Sequence, residues 1–199
     1  PADGCSWELL QTAVNDNAGC SAAVGCLIGL AIGDSVGAPL EFLPVDPRPV
    51  DISKKSTRPG LVPDPHGVNL LQYRNEYNKF KLQRGQWTDD CSMALCLADT
   101  LLVHNEYHGG DARVRWHMWW THGYNNAFRH DAERPRRTSV GLGGNISISL
   151  ADVQRIAGDC SDPALLVPAV YGSTSDDAGN GSIMRLAPVP IAFHRDEMQ

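Results

Sequence analysis

The sequence predicts an all-α fold, and two observations carry that expectation. Apolar residues recur at helical spacing over several segments, and runs of alternating β-branched residues, the mark of half-buried strands, are nearly absent. A third observation sets the scale: 199 residues, 42% of them hydrophobic, suffice for a single domain, 1–199, with one sizeable core.

From the N-terminus, the first helical stretch is residues 21–33, where Gly25, Gly29 and Gly33, with Gly37 beyond, fall at intervals of four. On a helix this spacing lines small residues along one face, which a second backbone can approach closely. Glycine is a poor helix former, so four of them imply a packing reason. The apolar run from Ala22 to Gly33 is shorter than the ~20 residues that cross a bilayer, and Asp34 closes it. Residues 43–84 then read as a long Pro-rich insertion or loop, with six prolines and few apolar repeats.

The helical pattern returns between Thr88 and His104, where Met93, Ala94, Leu97, Ala98, Leu101 and Leu102 share one face. Thr88 stands where an N-cap belongs, and Asp89 and Asp90 fill the first turn, as helix electrostatics favour. Asp111 to Tyr124 follows as an aromatic-rich helix carrying Trp116, Trp119 and Trp120, and a basic loop with Arg134, Arg136 and Arg137 comes next. Ser149–Ala157 and Pro163–Tyr171 are shorter helical candidates.

A net charge of -6 argues against a nucleic-acid binder, which would carry a basic face. Residues 44–84 hold eight basic and four acidic residues and 111–137 hold six and three, which leaves three basic and sixteen acidic residues elsewhere. The remaining segments are therefore rich in the oxygen donors that hard divalent cations take. The six cysteines form no C-x-x-C and no zinc spacing with histidine, and read as reduced thiols. With no signal peptide or membrane span in view, the expected location is the cytoplasm, or the nucleus. A chain that starts at Pro1 and stops at Gln199 reads as part of something longer.

Three clusters could carry chemistry. In Gly85-Gln86-Trp87-Thr88-Asp89-Asp90, three consecutive oxygen-bearing side chains at a helix start can converge on one hard cation; taken alone, an ordinary N-cap with dipole-favouring acids is the simpler reading. In Gly33-Asp34-Ser35-Val36-Gly37-Ala38-Pro39-Leu40-Glu41-Phe42, an Asp closes an apolar helix and a Glu follows within a Gly/Pro-bounded turn; alone, these are a local hydrogen-bonding residue and a solvated one. In Gly179-Asn180-Gly181-Ser182-Ile183-Met184-Arg185, small residues open a helix and expose backbone N–H groups of the kind that hold phosphate; alone, a plain N-cap is the simpler reading. Competing motifs fail. Position 184 is Met where a nucleophile elbow needs Gly, residues 141–146 lack the last glycine of a dinucleotide fingerprint, and neither a Walker A nor an H-E-x-x-H motif is present.

In this order the three clusters resemble the ADP-ribosylglycohydrolases. The matching stretches are Gly25-Cys26-Leu27-Ile28-Gly29-Leu30-Ala31-Ile32-Gly33-Asp34 with Gly37 and Glu41-Phe42, then Trp87-Thr88-Asp89-Asp90 with Met93, then Gly179-Asn180-Gly181-Ser182 with Met184-Arg185 and Pro188. The resemblance implies a compact, orthogonally packed all-α domain around a centre of two Mg²⁺ ions (Mn²⁺ in some members) at the bottom of an ADP-ribose cleft. It implies Glu41, Thr88, Asp89 and Asp90 as metal ligands, with Glu41, Asp89 and Asp90 doing the catalytic work. Asn180, Gly181 and Ser182, with Asp34, would contact the substrate.

The implied activity is hydrolysis of the glycosidic bond joining ADP-ribose to a protein side chain or small acceptor, with no nucleic-acid or membrane partner. The alternative is a non-catalytic ADP-ribose binder or a structural, crystallin-like member of the same fold. One departure stands out. Family members carry a C-terminal Asp-x-Asp-Thr-type motif that supplies the remaining metal ligands, whereas after Arg185 this chain has only Asp196 and Glu197 among its acids.

Overall fold

The computed structural model describes residues 7–41, 61–63, 69–71, 78–134, 139–158, 160–174, 176 and 179–194. Among these the architecture is helical. The six α-helices are α1 (Trp7–Asp16), α2 (Ala18–Gly37), α3 (Asp89–His104), α4 (Gly109–His122), α5 (Gly144–Ala157) and α6 (Pro188–Phe193), joined by 3-10 turns at Ala38–Leu40, Pro163–Leu165 and Asn180–Ser182.

Two three-residue strands, β1 (Leu61–Pro63) and β2 (Asn69–Leu71), pair antiparallel with Val62 opposite Leu70. They fall inside the Pro-rich stretch and are too short to leave an alternation in the sequence. The rest of residues 43–77 lies outside the described residues.

Helix α2 runs on through Asp34 to Gly37, past the end that the apolar run suggests. Its start is set by Asn17, whose side chain accepts a hydrogen bond from the Cys20 amide at 3.0 Å. At 20 residues it is long and apolar enough to cross a membrane by length and composition. Its last turns line a cavity. The close approach expected on the glycine face is not made by the described residues: a Cβ at Gly25, Gly29, Gly33 or Gly37 would meet nothing within 4 Å.

The core lies between α3, α4 and α5. Met93, Cys96, Leu97 and Leu101 of α3 pack on Ala112, Trp116 and Trp119 of α4 and on Leu150 of α5, with Met184 and Val189 closing over them. The Trp116 indole donates to the Met93 carbonyl at 3.0 Å, which satisfies its one polar atom and locks α4 onto α3.

At the start of α4, Gly109 and Gly110 let the 163–169 segment come close. A Cβ on Gly110 would sit 2.6 Å from the carbonyl oxygens of Ala164 and Val167. Arg113, 3% exposed, ties the same elements together. Its guanidinium donates to the Pro168 and Ser149 carbonyls at 2.7 and 3.1 Å and to the Asp152 carboxylate at 3.1 Å. The described cysteines, 20, 26, 91, 96 and 160, are all free thiols.

Candidate active site

One cavity of about 1160 Å³ gathers the three sequence clusters. Asp34 and Glu41 reach it from the end of α2 and the turn that follows. Thr88, Asp89 and Asp90 reach it from the start of α3, and Asn180, Gly181 and Ser182 from the 3-10 turn before α6. Every residue singled out from the sequence as a site candidate therefore lines this one space.

The α3 end of the cavity is electrostatically loaded. Burial pushes the Asp89 carboxyl up to about 7, and the neighbouring charges of Asp90 and Asp34 push the same way. Burial, then Asp34, raises Asp90. Burial, then Asp90, raises Glu41, although Lys79 pulls it back. Beneath them the Cys91 thiol is held up to about 12 by burial and the same aspartates, so it stays protonated. Clustered carboxylates that resist ionisation together are a site where a cation would be accepted readily. Among the described residues, however, no three Asp, Glu, His or Cys side chains converge closely enough to hold an ion unaided.

Thr88 occupies the cap position of α3 without capping it through its own side chain. Asp34 does so instead. Its Oδ2 accepts from the Thr88 and Cys91 amides at 2.9 and 3.0 Å, and its Oδ1 accepts from the Thr88 hydroxyl at 2.7 Å. Both oxygens of the expected substrate contact are thus engaged with α3.

Two further residues shape the cavity. Gly141, at φ +93°, packs against Asp89, and a Cβ there would collide with that carboxylate. The residue must be Gly for both its backbone and its contact. Arg185 lies with its guanidinium carbon 4.0 Å from the centre of the Trp116 ring. It makes no ion pair among the described residues, and burial lowers its pKa. Gly141 belongs to the glycine-rich run dismissed as a nucleotide fingerprint, and its nearness to Asp89 leaves no trace in local pattern. Arg185 ends the third cluster, where a buried guanidinium reads no differently from a surface one.

Residues 15–199 match the family model described as ADP-ribosylglycohydrolase. The chain belongs to the ADP-ribosylglycohydrolase family. It is similar to an ADP-ribosylarginine hydrolase Tri1 of Pseudomonas putida (strain GB-1), with 34% identity over 186 residues covering 88% of this chain and 37% of that protein. It is also similar to an ADP-ribosylarginine hydrolase Tri1 of Serratia proteamaculans (strain 568), with 30% identity over 178 residues covering 89% of this chain and 38% of that protein. The chain spans well under half the length of these relatives.

Proposed function

We propose that this member of the ADP-ribosylglycohydrolase family carries part of the active site of a hydrolase that cleaves the glycosidic bond at the anomeric carbon of ADP-ribose. The observation that supports this best is the gathering of Glu41, Thr88, Asp89, Asp90 and residues 180–182 around one cavity. The relatives are described as ADP-ribosylarginine hydrolases, which makes the N-glycosidic bond to an arginine guanidinium the first linkage to test. In this reading the partner is an ADP-ribosylated protein or another ADP-ribose derivative, and neither nucleic acid nor a membrane takes part.

Such bonds break through an oxocarbenium-like transition state, whose positive charge a carboxylate-lined cavity stabilises. Asp89 faces this space as a carboxyl that is ionised where it holds a cation. Asp90 and Glu41 add negative charge facing the same space. Asn180, Gly181 and Ser182 line the phosphate or ribose subsite.

The donor set Glu41, Thr88, Asp89 and Asp90 consists of hard oxygens and suits Mg²⁺ or Mn²⁺, with water or further residues completing the shell. A bound divalent ion supplies charge stabilisation and lowers the pKa of a coordinated water.

The test is release of ADP-ribose from an ADP-ribosylated arginine substrate, measured with Mg²⁺ and in a chelator. Metal-dependent release supports the reading, and equal release in chelator overturns its metal half. Because no three acidic, His or Cys ligands converge among the described residues, a second reading is a non-catalytic ADP-ribose binder. Binding without turnover supports that reading, whereas no binding at all points to a structural role.

A further inference from the structure

The first turn of α3 is capped from another helix. First-turn amides ordinarily bond to the side chain of the cap residue itself, yet at Thr88 that bond is missing. The acceptor comes from α2, 54 residues earlier. The Asp34 carboxylate takes the amides of Thr88 and Cys91 on one oxygen and the Thr88 hydroxyl on the other.

The arrangement has a consequence for Thr88 Oγ1. A hydroxyl has one proton and two lone pairs. Thr88 is 4% exposed, and its proton has two carboxylates within reach, because the same hydroxyl also favours the ionised form of Asp89. Asp34, at 2.7 Å, is the partner whose geometry also engages the two amides. With the proton on that side, the oxygen faces the cavity as a lone-pair donor, which is what a hard cation requires.

We propose that Asp34 is a positioning residue, which caps α3 in trans and holds the Thr88 hydroxyl proton on its own carboxylate so that the Oγ1 lone pairs are left for a cation beside Asp89 and Asp90. The capping half stands on the hydrogen bonds alone. The cation half rests on the functional reading above.

The test uses the 199-residue chain, with Mn²⁺ followed by loss of its free paramagnetic-resonance signal and with amide hydrogen exchange read at Thr88 and Cys91. Asp34→Asn keeps an oxygen that accepts from the amides but offers an NH₂ to the hydroxyl, which reverses the proton. It is expected to weaken Mn²⁺ binding at least fivefold while the fold is kept. Thr88→Val weakens binding by itself, and Asp34→Asn added to it costs nothing further, because the effect passes through the hydroxyl. Thr88→Ser restores wild-type affinity. In Asp34→Ala both amides exchange faster.

An Asp34→Asn chain within twofold of wild type, or full additivity with Thr88→Val, overturns the cation half. Unchanged amide exchange in Asp34→Ala overturns the capping half. If Asp34→Ala does not fold, slower or unchanged exchange at the Thr88 and Cys91 amides in Asp34→Asn overturns the capping half in its place, since both then bond to a neutral amide oxygen, a weaker acceptor than a carboxylate. A wild-type chain that takes up no Mn²⁺ at millimolar concentration overturns the metal reading of the site together with the cation half, and the amide exchange still decides the cap.

Discussion

Among the carboxyls that line the cavity, Asp89 is raised furthest. Unfolded, its carboxyl loses a proton near 3.8; folded, it holds that proton up to about 7. Between those values the unfolded chain binds fewer protons than the folded one, so the Asp89 contribution to stability is fullest below the lower value and is lost as pH rises through the upper one. Glu41 and Asp90 shift in the same direction. In chelator, Asp89→Asn is therefore expected to be more stable than wild type at pH 8 and to lose that advantage at pH 4, as measured by urea midpoints. An advantage of equal size at both values would show that the carboxyl is not perturbed. The roles proposed for the site residues separate as well. Asp89→Ala should cut Mg²⁺ uptake and release of ADP-ribose from the modified substrate together, whereas Ser182→Ala should weaken ADP-ribose binding and leave metal content nearly intact. Calorimetry with metal analysis checks this, and identical behaviour of the two variants would refute the division. Thr88, Asp89 and Asp90 are legible in sequence because they are contiguous at a helix start. Gly141 is not, because what makes it necessary is a collision with a carboxylate brought in from another element.

Among the elements, the central helices follow their apolar faces closely: α3 begins at Asp89, and α4 occupies Gly109–His122. The pattern misleads where glycine or tertiary bonding intervenes. Helix α5 starts at Gly144, ahead of the apolar candidate at Ser149, because its first residues, Gly144 and Asn145, are poor helix formers that hide the start. The expected helix at 163–171 shrinks to a 3-10 turn at Pro163–Leu165. There the Pro168 carbonyl is drawn to Arg113, and a proline has no amide to continue a helix. Helix α1 was not among the expected segments although Trp7, Leu10 and Val14 stand at helical spacing, and α6 is six residues long with prolines at its start. The contact between α4 and this segment gives an element-scale test. Gly110→Ala drives a methyl into the Ala164 and Val167 carbonyls and should cost about 1–3 kcal/mol in urea denaturation. A loss under about 0.5 kcal/mol, the range of neutral surface changes, would mean that the backbone yields there.

Across the whole molecule, α2 is the element least explained by its surroundings. Ile28 and Ile32 are 49% and 58% exposed, and the glycine face beside them meets nothing among the described residues. Contiguous apolar surface of this kind is unusual on a monomer. The purified chain is expected to associate, or to bind a hydrophobic dye, in proportion to that face. Gly29→Lys with Ile32→Glu should return it to a monomer in analytical ultracentrifugation. Persistence of association in that variant would place the contact elsewhere. The same chain should bind Mg²⁺ only weakly, because the proposed ligands Glu41, Thr88, Asp89 and Asp90 would supply only part of the shell of the two-ion centre that the resemblance implies, and the three carboxylates repel one another without a cation. Micromolar Mg²⁺ affinity in isothermal titration would contradict this.

The helical class, the α3 and α4 segments and the order of the three motif clusters were determined by the sequence itself. Each depends on residues near one another along the chain, where spacing and capping act directly. What only the tertiary structure decided is which of those residues meet. Asp34 closes the first turn of α3 rather than its own helix, Gly141 gives way to Asp89, Arg185 lies on Trp116, and a run of small residues stays open where a neighbour was expected. These are contacts between segments far apart in sequence. Their energies come from burial and from hydrogen bonds that no local window contains.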